Sequence, residues 1–314
     1  MDRPIPFFDG YWYCYANSTA MLLGASGHSI APAQIEVLSG VGLGACIPGE
    51  LPFFSGAAGL PDRGITRALE ILGFEFEEQA QEDGSAPPFD WLAARLSSGP
   101  VVAGPLDMSL LRYNPARPTG GGVDHYVLVS AIDAANVRIY DPAGYAAVSL
   151  SRALFAEAWR ASSIAYRRGA FRAWCAPRRL RKPSDDSIRR EALAWFQDLY
   201  RQSEAIAAER NWPEGERAIR DLARHVRACT LYDAQANHLR FFALPLGAKR
   251  ALHFSAFFAG IDKPVAVLKH RQAGLFGACH SRFMQDDRAG TADGLDALAA
   301  CEAELRESIL ALRA

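Results

Sequence analysis

The sequence carries almost no net charge: 34 Lys and Arg stand against 35 Asp and Glu in 314 residues. A general nucleic-acid binder needs a basic excess to neutralise phosphates, so no nucleic-acid partner is expected. Long apolar runs are lacking too. No stretch approaches the ~18 residues of a membrane span. Met1-Asp2-Arg3-Pro4-Ile5-Pro6 has no basic region followed by an apolar one, as a secretory signal would. These absences give the expectation of a soluble, cytoplasmic protein with no membrane partner. The six cysteines, at 14, 46, 175, 229, 279 and 301, form no CxxC pair and no cluster, so neither a disulfide framework nor a zinc finger is expected. HExxH is absent as well, and no metal is expected. Gly120, Gly121 and Gly122 are not followed by Lys-Ser/Thr, and Gly40, Gly42 and Gly44 lack the GxGxxG spacing. A phosphate loop and a dinucleotide site are thereby excluded.

What is present is a chain with 50% hydrophobic residues, enough for a substantial core, at a length that suggests two domains or one large one. The texture changes near residue 180. Before it, Gly and Pro punctuate short apolar runs. Tyr126–Ile132 and Val137–Tyr140 read as strands, and Asp133-Ala134-Ala135-Asn136 between them as the turn of a hairpin. Helices are expected at about Cys14–Leu23, Thr66–Leu72 and Phe89–Leu96. The basic, proline-bracketed segment Pro177–Pro183 reads first as a solvated linker and second as a docking patch for an acidic partner. After it the pattern is helical. Ser184 or Asp185 can cap a helix to about Arg210, and Pro213 and Glu214 open the next. In the tail, Leu295, Leu298, Leu305, Ile309 and Leu312 fall on one face. The expected fold class is α+β for residues 1–177, then a linker at 178–183 and an all-helical domain at 184–314.

Cys14 follows the aromatic cluster Tyr11-Trp12-Tyr13 and opens a helical stretch. A thiol there meets unpaired backbone N–H groups and the positive end of the helix dipole, both of which favour thiolate. Cys46, in a Gly-rich loop, is the rival, and no base is evident for it. A nucleophilic thiol needs an imidazole, and the imidazole an orienting acceptor. His125 stands just before the first strand of the hairpin and Asp141 just after the second. An antiparallel hairpin places those positions at one end of the sheet. A thiol triad of Cys14, His125 and Asp141 is one reading; a buried cysteine, a strand-end histidine and a turn aspartate is the other.

The Cys-Tyr-Ala-Asn-Ser opening at 14–18, the Gly-rich segment after it, the Asp-His-Tyr-Val-Leu-Val strand at 124–129 and Tyr140-Asp141-Pro142 resemble the C39-like branch of the papain-like cysteine enzymes. Within these, residues 10–175 resemble the N-terminal domain of the butirosin biosynthesis protein H-like family, in which a helical domain often follows. The resemblance implies a papain-like domain with a Cys-bearing helix packed on an antiparallel sheet. It also implies an acyltransferase, with Cys14 as nucleophile, His125 as base and Asp141 as its orienter. The donor would be an acyl carrier protein or another thioester, the acceptor a small-molecule amine or hydroxyl, and the setting antibiotic biosynthesis. No cofactor is implied beyond the phosphopantetheine arm of a carrier-protein donor. C39 peptidases carry a Gln several residues before the Cys; Pro6-Phe7-Phe8-Asp9-Gly10 has none. The oxyanion hole is therefore left to the Cys14 N–H, with Asn17 as a further donor; Gly121 and Gly122 read equally as points of close substrate approach and as a flexible loop with no contact.

Hydrolysis by the same triad and a non-catalytic scaffold on the same fold remain the competing readings. Val41–Gly59, with Phe53 and Phe54, is either a lip that limits water at the site or an ordinary loop. Arg189, Arg190, Arg217, Arg220, Arg224 and Arg227, interspersed with acids, read first as a solvated face and second as a surface for an acidic carrier protein. His253, His270 and His280 sit among phenylalanines and read first as core and second as a place for a bound aromatic acceptor.

Overall fold

The computed structural model describes residues 4–82 and 86–313. Its elements in chain order are α1 (Cys14–Ala25), α2 (Pro32–Ser39), α3 (Pro61–Ile71), β1 (Phe74–Gln81), α4 (Phe89–Leu96), β2 (Val101–Asp107), β3 (Asp124–Ile132), β4 (Asn136–Asp141), β5 (Tyr145–Ser151), α5 (Arg152–Arg160) and β6 (Ala170–Arg179). Six α-helices follow among the described residues: α6 (Asp185–Arg210), α7 (Gly215–Arg227), α8 (Asp233–His238), α9 (Leu244–Phe258), α10 (Lys263–Met284) and α11 (Arg288–Ala311), with a π-helical turn at Leu239–Ala243 between α8 and α9. The chain divides into two compact units, Met1–Ile35 with Ile65–Lys182, and Glu36–Gly64 with Pro183–Ala314.

The first unit is α+β. Its strands form a six-stranded antiparallel sheet in the order β1-β6-β2-β3-β4-β5. Alternation along β3 explains its two covered faces. Val127 and Val129 join Val101, Ala103, Val137 and Ile139 in a cluster with Leu92 of α4 and Phe155 and Trp159 of α5. Tyr126, on the other face, meets Tyr15 of α1 edge-on at 6.0 Å. The ring of Tyr126 lies so close to Gly104 that a Cβ there would fall 2.2 Å from its Cδ1. That contact is why β2 carries a glycine in mid-strand.

The hairpin extends one or two residues beyond its expected ends, so His125 and Asp141 lie within strands rather than beside them. The run Arg178–Pro183 is not all linker: β6 continues to Arg179, which pairs with Phe74 at the edge of the sheet. Glu75 accepts a hydrogen bond from Arg178 Nε at 3.1 Å, so the basic residues there answer the acids of β1.

The second unit is helical. Ser184 caps α6, its Oγ accepting from Ser187 N at 3.2 Å. Ile219, Leu222 and Val226 of α7, Ala273 and Phe276 of α10, and Leu295 and Leu298 of α11 share one buried cluster. Leu312 lies beyond the end of α11. Glu36–Gly64, read with the first domain from its Gly-rich texture, groups with these helices instead. Its ties are non-local: Gly215 N donates to Ala45 O at 2.7 Å and Ile47 N to Pro213 O at 3.1 Å. No helix among the described residues is long and apolar enough to cross a membrane.

Candidate active site

Cys14 is the first residue of α1, entered directly from a 3-10 turn at Tyr11–Tyr13. No side chain caps this terminus and its first turn holds no acidic residue, so no carboxylate on that turn competes for the positive end of the helix. Gly10, at φ 148°, sits just before it. Its carbonyl accepts from Asn17 Nδ2 at 2.9 Å, and its N–H donates to the Pro142 carbonyl at 2.9 Å. One glycine thus joins the first turns of the Cys14 helix to the turn that follows Asp141.

His125 and Asp141 meet at the end of the β3–β4 hairpin, His125 Nε2 standing 2.6 Å from Asp141 Oδ1. Both are buried, at 2% and 0% exposure, so water does not screen the pair. Cys14 lies near enough to His125 that its charge and hydrogen bonding favour the protonated imidazole. Nε2 is engaged by Asp141, so Nδ1 is the ring nitrogen open to a thiol. Burial alone would push the imidazole down, but the charge and hydrogen bond of Asp141, aided by Cys14, outweigh it and hold His125 well above the usual histidine range. Asp141 is its complement. Burial pushes its carboxyl up, yet His125 and the donors Ala143 N (2.7 Å, to Oδ1) and Tyr113 Oη (2.8 Å, to Oδ2) bring it below the ordinary aspartate value. An ionised carboxylate, a charged imidazole and a thiol at a helix N-terminus therefore stand in series, the arrangement from which a thiolate nucleophile and its proton donor arise.

Of the other residues singled out in the sequence, Asn17 directs Nδ2 to Gly10 rather than toward sulfur and acts as a strut. A Cβ on Gly121 would meet Asp107 Oδ2 at 2.9 Å and Ser163, and one on Gly122 would meet only Ser163 O. Cys46 does have an ionisable partner, Glu214. Burial, then the charge of Glu214, pushes that thiol far up, which keeps it protonated and removes it as a rival nucleophile. Among the arginines, Arg189, Arg220, Arg224 and Arg227 each pair with acids of the helical unit. His253 and His280 are half-buried and His270 is exposed, so they lie outside the core that the surrounding phenylalanines suggested. Tyr113 was not legible as a site residue. It lies in an aperiodic loop, and only its place beside the turn-forming Asn114-Pro115 marks it. Among the described residues, no group of three or more His, Cys, Asp or Glu is placed to hold a metal ion.

Two comparisons bear on kinship. The model of the YobF C-terminal domain matches residues 209–310, which covers α7 to α11. The uncharacterized protein YobF of Bacillus subtilis (strain 168) is 36% identical over 298 residues, spanning 95% of this chain and 96% of its own length. At that identity over nearly the whole of both chains, this protein belongs to the YobF family.

Proposed function

We propose that the chain is a cysteine-dependent acyltransferase with a papain-like, C39-like first unit akin to the butirosin biosynthesis protein H-like family. The observation that carries this reading is the buried series Cys14–His125–Asp141, with its 2.6 Å His–Asp contact. Cys14 thiolate attacks the carbonyl carbon of a thioester, and the oxyanion that forms faces the N–H groups at the start of α1. Collapse breaks the C–S bond to the donor. His125 returns its proton to the departing carrier thiol, leaving acyl-Cys14 and a neutral imidazole. An amine or hydroxyl acceptor then loses a proton to His125 as it attacks the acyl carbon. The second tetrahedral species expels Cys14 as thiolate, which restores the ion pair. Exchange of one thioester for another is nearly thermoneutral, so the first step needs no nucleotide. The donor is a carrier-protein or other thioester, the acceptor a small molecule, and the setting natural-product assembly in the cytoplasm.

Intact-mass spectrometry on the full chain, mixed with a panel of acyl-thioester donors, tests the proposal. A mass gain equal to the acyl group, absent in Cys14→Ala and discharged by an added amine, is the expected result. Discharge by water at the same rate with and without amine would assign a hydrolase instead. No adduct from any donor would overturn the acyl-transfer reading.

A further inference from the structure

Asp141 Oδ2 does not face the imidazole. It accepts from the hydroxyl of Tyr113 at 2.8 Å, on a turn 28 residues earlier in the chain. That turn is built to hold its place. Asn114, 1% exposed, accepts with Oδ1 from Ala116 N at 2.8 Å and from the Tyr145 hydroxyl at 3.2 Å. The ring of Tyr113 packs edge-on against Tyr145 of β5 at 5.7 Å. The phenol therefore arrives at the carboxylate from a fixed direction, with little freedom to leave it.

We infer that Tyr113 is a positioning residue of the candidate active site, whose hydroxyl fixes the Asp141 carboxylate and, through it, the charge of His125 that makes Cys14 nucleophilic. The inference rests on the thiol-nucleophile reading above and adds to it a member that touches neither sulfur nor substrate. A carboxylate with one oxygen on an imidazole and the other free can rotate, or take the imidazole proton for itself. Donation from Tyr113 to Oδ2 opposes both, because it favours the anion and sets the carboxylate plane. Burial and the neighbouring Asp141 charge push the Tyr113 phenol far up, so it remains a donor at every working pH. The ionisable groups around Asp141 are His125 on β3, with Cys14 of α1 beyond it, Tyr113 on its own turn, and Tyr145 of β5 behind Tyr113. None of these but Tyr113 offers a donor to Oδ2.

The test reads the acid limb of Cys14 alkylation by iodoacetamide, together with the pH titration of the Asp141 carboxyl carbon by NMR, on the full chain. Tyr113→Phe keeps the ring against Tyr145 and removes only the hydroxyl. Both midpoints are expected to rise by about one pH unit, roughly a tenfold loss of reactive thiolate at pH values below the limb. Tyr232→Phe, which removes an exposed phenol hydroxyl bonded to Glu50 and none from Asp141, is expected to leave both midpoints in place. In the Asp141→Asn background, Tyr113→Phe should add nothing, since its effect passes through that carboxylate. Placing 3-fluorotyrosine at 113, a stronger donor of nearly equal size, should move both midpoints down and serves if Tyr113→Phe misfolds. Unchanged midpoints in both Tyr113 variants would overturn the inference, as would a full additive loss in the Asp141→Asn background. An unreactive Cys14 in the wild type overturns it together with the nucleophile. A reactive Cys14 that accepts no acyl group removes only the acyltransferase.

Discussion

Ser18 of α1 donates its hydroxyl to the carbonyl of Tyr126 on β3 at 3.1 Å, both residues being buried. Ser18 lies one helical turn beyond Cys14, and Tyr126 is the neighbour of His125. This one bond therefore ties the element that carries the thiol to the strand that carries the imidazole. Ser18→Ala removes this hydrogen bond. Stability is expected to fall by about 1–2 kcal/mol, read as a lower urea midpoint at unchanged slope. Iodoacetamide should alkylate Cys14 severalfold more slowly in this variant while the protein is still folded. A normal alkylation rate would show that the contact serves stability alone.

Gly104 bears on the same strand from the other side. A methyl at this position would fall within 2.2–2.8 Å of three ring atoms of Tyr126, and the ring is held between Tyr15 and Trp174. Neither the ring nor β2 can yield without disturbing the residue next to His125. Gly104→Ala is expected to cost about 3 kcal/mol, with the loss visible in denaturant titration. Trimming the partner as well, in Gly104→Ala with Tyr126→Leu, should recover part of it.

The elements that were legible in the sequence are those whose signal is local. The β3–β4 hairpin shows alternation and a turn, and with Cys14 at a helix start these fix the ends at which three chemical groups meet. β2 was hidden because Gly104-Pro105 reads as a break, although the glycine is there for the Tyr126 ring. β1, Phe74-Glu75-Phe76-Glu77-Glu78, was hidden by its charge. As an edge strand it sets Glu75 and Glu78 against Arg178 and Arg172 of β6, and no local pattern announces such a pairing. Asn17 was identifiable as a polar group near sulfur, but its partner Gly10 was not, because loop geometry decides that hydrogen bond. Tyr113 and the grouping of Glu36–Gly64 with the helical unit depend on contacts between distant parts of the chain, which carry no period to read.

Within the second unit, Glu36 is fully buried and holds Arg250 through Nε to Oε1 at 2.7 Å, while its Oε2 has no hydrogen-bond partner. A buried carboxylate in this position depends on the guanidinium, since little else repays its desolvation. Arg250→Met leaves that charge uncompensated and is expected to destabilise the protein by about 3–5 kcal/mol. Replacing both residues, Glu36→Leu with Arg250→Met, removes the charges together and should recover most of the loss. A double variant no more stable than Arg250→Met would show that Arg250 acts through packing, its stem lying so close to Gly42 that an added Cβ there would fall 2.9 Å from Arg250 Cδ.

Glu214 makes the stability of the same unit depend on pH in a defined direction. It forms the N-cap position of α7, its Oε2 accepts from Ala57 N at 3.2 Å, and Cys46 hydrogen-bonds to it. Burial, reinforced by the charges of Glu302 and Glu204, raises its carboxyl from 4.5 to about 7, against the opposing pull of Cys46 and Ala57. In the unfolded chain the same carboxyl ionises near its ordinary value. Below that value both states are protonated, and the contribution of Glu214 is fully present. Between it and about 7 only the unfolded chain ionises, so the contribution falls as pH rises and is gone above the folded value. Glu214→Gln keeps an oxygen for Ala57 and cannot ionise. The wild type should therefore lose on the order of 2–3 kcal/mol relative to this variant between pH 4 and pH 8. Urea midpoints of the two proteins at both pH values measure it, and parallel pH profiles would show that folding leaves the ionisation of Glu214 unchanged.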